Sequence, residues 1–210
     1  MVDVPDEKQL EALINSVCVA LAGQGYAVLD DVLPQELAAA LRNEALQLNE
    51  ENLVQAGTGR NQDYHLDKQI RADAICWMQP DSDARIAYLF IMEAIRKGVN
   101  RQLYLGLFEY ESHYARYEPG AFYKTHLDAF GGKRNRVLST TYYLNPDWTS
   151  GHAGELVLYA PDAQEVLATV VPRFNRMVVF LSERFPHEVL PTTQLRYSVA
   201  GWFRVNTQPA

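Results

Sequence analysis

Hydrophobic positions in the first hundred residues recur at helical spacing. Leu10, Leu13, Ile14, Val17 and Leu21 fall at i, i+3, i+4, i+7 and i+11, one apolar stripe of an amphipathic helix. Gly23 and Gly25 predict its end, and Tyr26 to Leu29 reads as a short strand. Pro34 suits the first turn of a second helix, whose Leu37, Leu41, Ala45 and Leu48 share a stripe. A third helix is expected after Pro80-Asp81-Ser82, with Ile86, Leu89, Phe90 and Ile95 inward and a stop at Gly98. The polar stretch Glu50 to Asp67, between the second and third helices, is long for a connection and is marked as a functional loop.

After residue 100 the period shortens to two. Strands are expected near 103–117, 137–144, 155–159, 166–171, 176–181 and 195–205, rich in Val, Tyr, Phe, Leu and Thr. Turn signals separate them, among them Pro119-Gly120, Gly131-Gly132, Asn145-Pro146, Gly154, Pro161-Asp162 and Pro191. Many short strands with such punctuation predict a sandwich or barrel. Helices first and strands later make the class α+β, with the helices packed on one face of a mostly antiparallel sheet. The chain shows no repeat, low-complexity tract or linker, so its 210 residues are expected to form one domain. Residues 1–100 would be mainly helical support and substrate loop, and 101–207 the β core.

Composition narrows the function classes. Lys+Arg 19 against Asp+Glu 26 gives a net charge of −7, which argues against a general nucleic-acid binder and weakly favours basic or neutral partner surfaces. Cys18 and Cys76 are too far apart for a zinc-finger spacing and fit a reducing compartment. The acidic start, Met1 to Lys8, is unlike a secretory signal, and no apolar run approaches the roughly 20 residues of a membrane span. The expectation is a cytoplasmic protein without nucleic-acid or membrane partners; the sequence leaves the oligomeric state open.

Three segments carry candidate chemistry. In His126-Leu127-Asp128 an extended backbone points residues i and i+2 to one side, so an imidazole and a carboxylate can meet one ion. Alone, such a triplet is common and its bland reading is a polar strand end. His187, in Phe185-Pro186-His187-Glu188-Val189, follows a strongly apolar strand, and a neighbouring strand could bring it beside His126. Arg196 opens the last strand, where a buried guanidinium would need an anionic partner. Two histidines and one carboxylate make the facial triad that leaves open positions on non-haem Fe(II).

The order HxD, a gap of about sixty residues, His, then Arg nine residues later resembles the Fe(II)/2-oxoglutarate dioxygenases. Within them it is most similar to the prolyl 4-hydroxylase branch, and to bacterial relatives of the oxygen-sensing prolyl hydroxylases of animals. Further stretches carry the likeness over residues 70–205: Ile70-Arg71-Ala72-Asp73 with Trp77, Tyr117-Glu118-Pro119-Gly120, Tyr142-Tyr143-Leu144-Asn145 with Trp148, Gly154-Glu155-Leu156, and Arg196 to Trp202.

The resemblance implies a double-stranded β-helix (jelly-roll) core buttressed by helices. It implies iron on His126, Asp128 and His187, with 2-oxoglutarate and O2 as co-substrates and ascorbate as an accessory reductant. The distal carboxylate of 2-oxoglutarate would pair with Arg196 and take a hydrogen bond from Tyr143. Tyr117 would lie near the chelating end, Thr141 would share the pocket face with Tyr143, and Leu156 would form apolar wall. Arg136, Trp202 and Asp73 match substrate-side positions, and the Glu50–Asp67 stretch, with Gly57, Gly59 and Arg60, sits where a substrate lid should begin.

The implied reaction hydroxylates a prolyl residue on an exposed loop of a protein, with decarboxylation of 2-oxoglutarate to succinate and CO2. For bacterial members a translation elongation factor is the suggested partner. Ala72 and Ala200 depart from the animal enzymes and bear on substrate and oxygen affinity. Two alternatives stand beside this reading: the same iron chemistry on a free amino acid, a lysyl residue or a small metabolite, and a jelly-roll binding protein without turnover. His65, His113 and His152 are expected to be surface or loop histidines. Trp77, Trp148 and Trp202 are by default core or rim aromatics, and Arg71 with Asp73 by default a salt bridge or turn.

Overall fold

The computed structural model describes residues 3–56, 69–129 and 135–206. Three helices come early: α1 (Glu7–Gly23), α2 (Gln35–Gln47) and α3 (Asp83–Leu103). The strands are β1 (Tyr26–Leu29), β2 (Val54–Gln55), β3 (Ala74–Trp77), β4 (Glu109–Tyr117), β5 (Tyr123–His126), β6 (Arg136–Tyr143), β7 (Leu156–Tyr159), β8 (Val166–Val170), β9 (Met177–Leu181), β10 (His187–Val189) and β11 (Arg196–Arg204). They form a seven-stranded sheet ordered β1-β9-β6-β11-β4-β3-β2 and a four-stranded sheet ordered β5-β10-β7-β8, and every strand pair is antiparallel. This is the expected α+β arrangement: two facing sheets, with helices covering the outside of the larger.

Alternation along the long strands builds two cores from one sheet. Leu138, Tyr142, Met177, Val179, Val199 and Phe203 face the helices, against Ile14, Val17, Leu37, Leu41, Ile91 and Ile95. Their neighbours Tyr143, Val178 and Phe180 face the smaller sheet, against Leu156, Leu158, Phe185 and Val189. Burying such side chains contributes about 1.5–3 kcal/mol each. At the centre, Gly201 is required by a close approach, since a Cβ there would overlap the Tyr110 hydroxyl.

α1 and α2 bury the stripes expected of them. Asp6 caps α1 through a reciprocal pair with Gln9, and Pro34 is the residue before α2 rather than inside its first turn. α3 differs from expectation in both face and end. Ile86 and Phe90 are 51% and 57% exposed, and the buried stripe is Ala84, Ala87, Tyr88, Ile91, Met92, Ile95 and Val99. Ile95 is inward as expected and Leu89 packs at the margin of the core, while Ala84 and Ala87 let α3 lie close to its neighbours. Gly98 does not stop the helix; it lets α1 approach, because a Cβ there would overlap Ile14 Cγ2. α3 ends at left-handed Tyr104 (φ 55°), and the Asn100 side chain bonds both N–H and C=O of Leu107 to turn the chain toward β4. That turn occupies the start of the strand expected near 103–117. Strands β2, β3, β5 and β10 were not anticipated. Most of the Glu50–Asp67 loop, from residue 57 on and including Gly57, Gly59, Arg60 and His65, lies outside the described residues, as do Gly131 and Gly132.

Candidate active site

The site lies at one end of the space between the sheets, where β5 and β10 pair. Their register sets His187 directly opposite His126, and the imidazole centroids stand 4.2 Å apart. The chain leaves β5 at His126 and brings Asp128 back between them: His126 Nε2 is 3.5 Å from Asp128 Oδ1, and His187 Nε2 is 3.5 Å from Asp128 Oδ2. One ligand atom from each of the three falls within 4.8 Å of the others, so a single ion can meet all three.

Both Nε2 atoms are aimed by what the other ring nitrogen does. His126 Nδ1 lies 2.8 Å from the Lys124 carbonyl, and His187 Nδ1 3.1 Å from that of Phe185, so each Nδ1–H donates to backbone and each Nε2 is left as a lone-pair donor. Tyr123 stacks on His126 at 3.6 Å, and Phe180 meets His187 edge-on at 4.7 Å. Burial, reinforced by His126, pushes the His187 pKa down to about 4 and keeps it neutral at pH 7. Burial works against the Asp128 carboxylate, yet the imidazoles of His187 and His126 and the guanidinium of Arg136 hold it well below the usual range. Two imidazoles with their Nε2 atoms turned to one point and an ionised carboxylate are the donor set a divalent ion requires.

Beyond the triad, Arg196 is 1% exposed. Its Nε donates to the Gly154 carbonyl at 2.9 Å and its Nη1 to Ser198 Oγ at 3.4 Å. Gly154 is held at φ +70°, and a Cβ there would stand 3.1 Å from Arg196 Cδ. The guanidinium lies over Tyr117 at 4.8 Å and Tyr143 at 5.2 Å. Its Nη2 and the Tyr143 hydroxyl are buried and without a partner. Burial, partly offset by Arg196, pushes the Tyr143 pKa up to about 12, so the hydroxyl keeps its proton as a donor. Arg196 lines a pocket, and a buried guanidinium with an unpartnered Nη2 calls for an anion there, since an unpaired buried donor costs about 1–3 kcal/mol. The same pocket is lined by Tyr117, Thr141, Leu156, His126, Asp128 and His187. A small dianionic ligand can therefore reach both the arginine and an ion on the triad.

On the open side Arg136 lies over the Trp202 ring at 3.5 Å and bonds Glu111 at 3.0 Å. Asp73 is buried and paired bidentately with Arg71, whose guanidinium covers Tyr123 at 4.7 Å. All three residues expected on the substrate side thus border the pocket or a residue that lines it.

His113, expected at the surface, is 1% exposed between Trp77 and Trp202, with centroid distances of 5.1 and 5.4 Å. Neither of its ring nitrogens has a partner, and burial with nearby Arg71 and Arg136 holds its pKa well below the ordinary histidine value. Ser139 and Ser198, which bond Asp128 and Arg196, were also not anticipated. Only strand alternation counted back from Tyr143 and onward from Arg196 would have found them.

Comparison with known proteins points to the same class of protein. Residues 112–204 match the 2OG-Fe(II) oxygenase superfamily. A Pseudomonas putida prolyl-4-hydroxylase structure is 36% identical, with a TM-score of 0.83, covering 92% of this chain and 100% of that one. A Trichoplax adhaerens prolyl hydroxylase, solved with a hypoxia-inducible factor peptide fragment, is 25% identical with a TM-score of 0.79, covering 94% and 91%. Human Egl nine homolog 1 is 26% identical over 203 residues, covering 92% of this chain and 47% of its own length. The chain spans about half the length of the mammalian Egl nine homolog 1 proteins it matches.

The fold is thus the jelly roll of the prolyl hydroxylases. This chain belongs to the 2OG-Fe(II) oxygenase superfamily, which works with Fe(II), 2-oxoglutarate and O2, and its donor set and orphaned buried donors fit those groups. Among the described residues, no helix is long and apolar enough to cross a membrane.

Proposed function

We propose that this chain is a prolyl hydroxylase that inserts one oxygen atom of O2 into a proline of a protein substrate. The observation that carries the reading is buried Arg196, with an unpartnered Nη2, lining the same pocket as the His126–Asp128–His187 cluster, with Tyr143, whose hydroxyl is also unpartnered, against its guanidinium. A metal-binding module without turnover has no use for a second, anion-seeking end. His126, Asp128 and His187 hold the metal. Arg196 and the Tyr143 hydroxyl hold the distal carboxylate of 2-oxoglutarate, while Tyr117, Thr141 and Leu156 shape the pocket around its chain. Bound there, Fe(II) and 2-oxoglutarate supply O2 activation coupled to decarboxylation to succinate and CO2.

The prolyl substrate is supported by the similarity to the Pseudomonas and Trichoplax prolyl hydroxylases. It is supported also by the open side of the site, where the Arg136–Trp202 stack forms a flat, cation-backed wall suited to a pyrrolidine ring. Arg136 and Trp202 flank that ring, and the Arg71–Asp73 pair braces Tyr123 and, behind it, His126. A translation elongation factor presenting a proline on a surface loop is the first protein to test.

Incubating the iron-loaded chain with 2-oxoglutarate and that factor, or with short proline-containing peptides, should add one oxygen atom at a single proline by mass spectrometry. Succinate should form in equal amount. Succinate production stimulated by a free amino acid, a lysyl peptide or a small metabolite, with no change at any proline, would overturn the prolyl assignment.

A further inference from the structure

Beneath the metal cluster runs a second hydrogen-bonded arrangement that the reaction just described does not require. Ser139 Oγ lies 2.6 Å from Asp128 Oδ2 and 2.8 Å from Ser182 Oγ, and both serines are buried. Sheet register places them there. Ser139 on β6 stands opposite Phe180 of β9, on the face that looks toward the smaller sheet. Ser182, just past the end of β9, stays in the sheet through its N–H bond to the Val137 carbonyl.

Each serine hydroxyl carries one proton, which fixes the direction of the chain. The Asp128 carboxylate can only accept, so Ser139 spends its proton on Oδ2. The Ser139 oxygen must then accept at the 2.8 Å contact, and Ser182 is the donor. The order is Ser182 to Ser139 to Asp128, and each bond polarises the next.

We propose that Ser139, backed by Ser182, is a positioning residue for the metal site. It ties up Asp128 Oδ2 so that the carboxylate offers the ion only Oδ1. The inference rests on the iron-site reading above. A carboxylate free to swing can offer both oxygens, which takes up a coordination position needed by the other ligands. A short bond to one oxygen prevents this, and burial of both serines keeps water from substituting for it.

The test is metal binding, read apart from turnover. Anaerobic titration with Co(II), whose visible bands report coordination number, should be run on the unaltered protein and on Ser139→Ala, Ser182→Ala, Ser139→Thr and His126→Ala. Thermal unfolding checks that each is folded. Ser139→Ala should bind Co(II) on the order of 10-fold more weakly, the lower end for loss of an outer hydrogen-bond partner. Its visible bands should weaken as the coordination number rises. Ser182→Ala should change both in the same direction by about 2–3-fold, and Ser139→Thr, which keeps the hydroxyl, should restore them. A folded Ser139→Ala protein with unchanged affinity and bands overturns the proposal and leaves the iron site standing. Equal Co(II) binding by the unaltered protein and His126→Ala overturns the iron site, and the proposal with it.

Discussion

The two faces of the seven-stranded sheet are made by alternate residues of the same strands, yet they do opposite things. Toward the helices, Leu138, Tyr142, Val199 and Phe203 pack with no exposed surface, and the hydroxyls of Tyr88, Tyr110 and Thr140 bond one another in a chain. Toward the smaller sheet, neighbouring positions hold Arg196, Tyr143, His113 and Trp202, each buried with a polar atom lacking a partner. Unmet buried donors cost stability, and the helix-facing side is what offsets them. The comparison teaches that one face supplies the rigidity which lets the other remain poised for a ligand.

Cutting into the helix-facing side should separate stability from binding. Phe203→Ala removes a fully buried ring and should cost about 3–5 kcal/mol by urea unfolding, while the folded fraction keeps its metal affinity. The opposite signature is expected on the inner face. Arg196→Ala should weaken 2-oxoglutarate binding on the order of 100-fold, about 2.8 kcal/mol, with Fe(II) affinity unchanged in calorimetry. Equal keto-acid binding would remove Arg196 from the site.

Gly98→Ala tests the support behind the sheet. Its Cβ would overlap Ile14, so forcing α1 away from α3 should cost about 1–3 kcal/mol without touching ligand binding. The smallest effect expected is at His113. Burial holds its folded pKa below the unfolded value near 6.5, so its neutral form favours folding. That contribution is complete above pH 6.5 and is lost as pH falls, because the unfolded chain then takes the proton first. His113→Leu should therefore gain stability relative to the unaltered protein between pH 6.5 and 5, by at most about 1.4 kcal/mol per pH unit. A constant difference across that range would show that His113 does not titrate on unfolding.

What the sequence made legible follows from the same contrast. The long strands alternate cleanly because each divides two cores, so β4, β6, β9 and β11 could be placed from pattern. β5 and β10 could not. They are four and three residues long and polar, and their pairing is a long-range register that no local signal carries. The residues they bring together were picked out by type, order and family likeness, not by recognising their strands. On α3 Ile95 is inward as expected, but Ile86 and Phe90 face outward and Ala84, Ala87, Tyr88, Ile91 and Met92 complete the buried stripe. His113 looked like any strand histidine. What sets it apart is its place between Trp77 and Trp202, from β3 and β11, which only the folded sheet supplies.

The central claim is that the polar inner face binds an iron ion and 2-oxoglutarate as one site. Anaerobic titration of the metal-free chain with Fe(II) and 2-oxoglutarate, followed by visible absorption, tests it most directly, with His126→Ala and Asp128→Ala beside it. A charge-transfer band that needs both additions and is absent in the two variants is the result expected. Folded, iron-loaded protein that shows no band with 2-oxoglutarate would contradict the account.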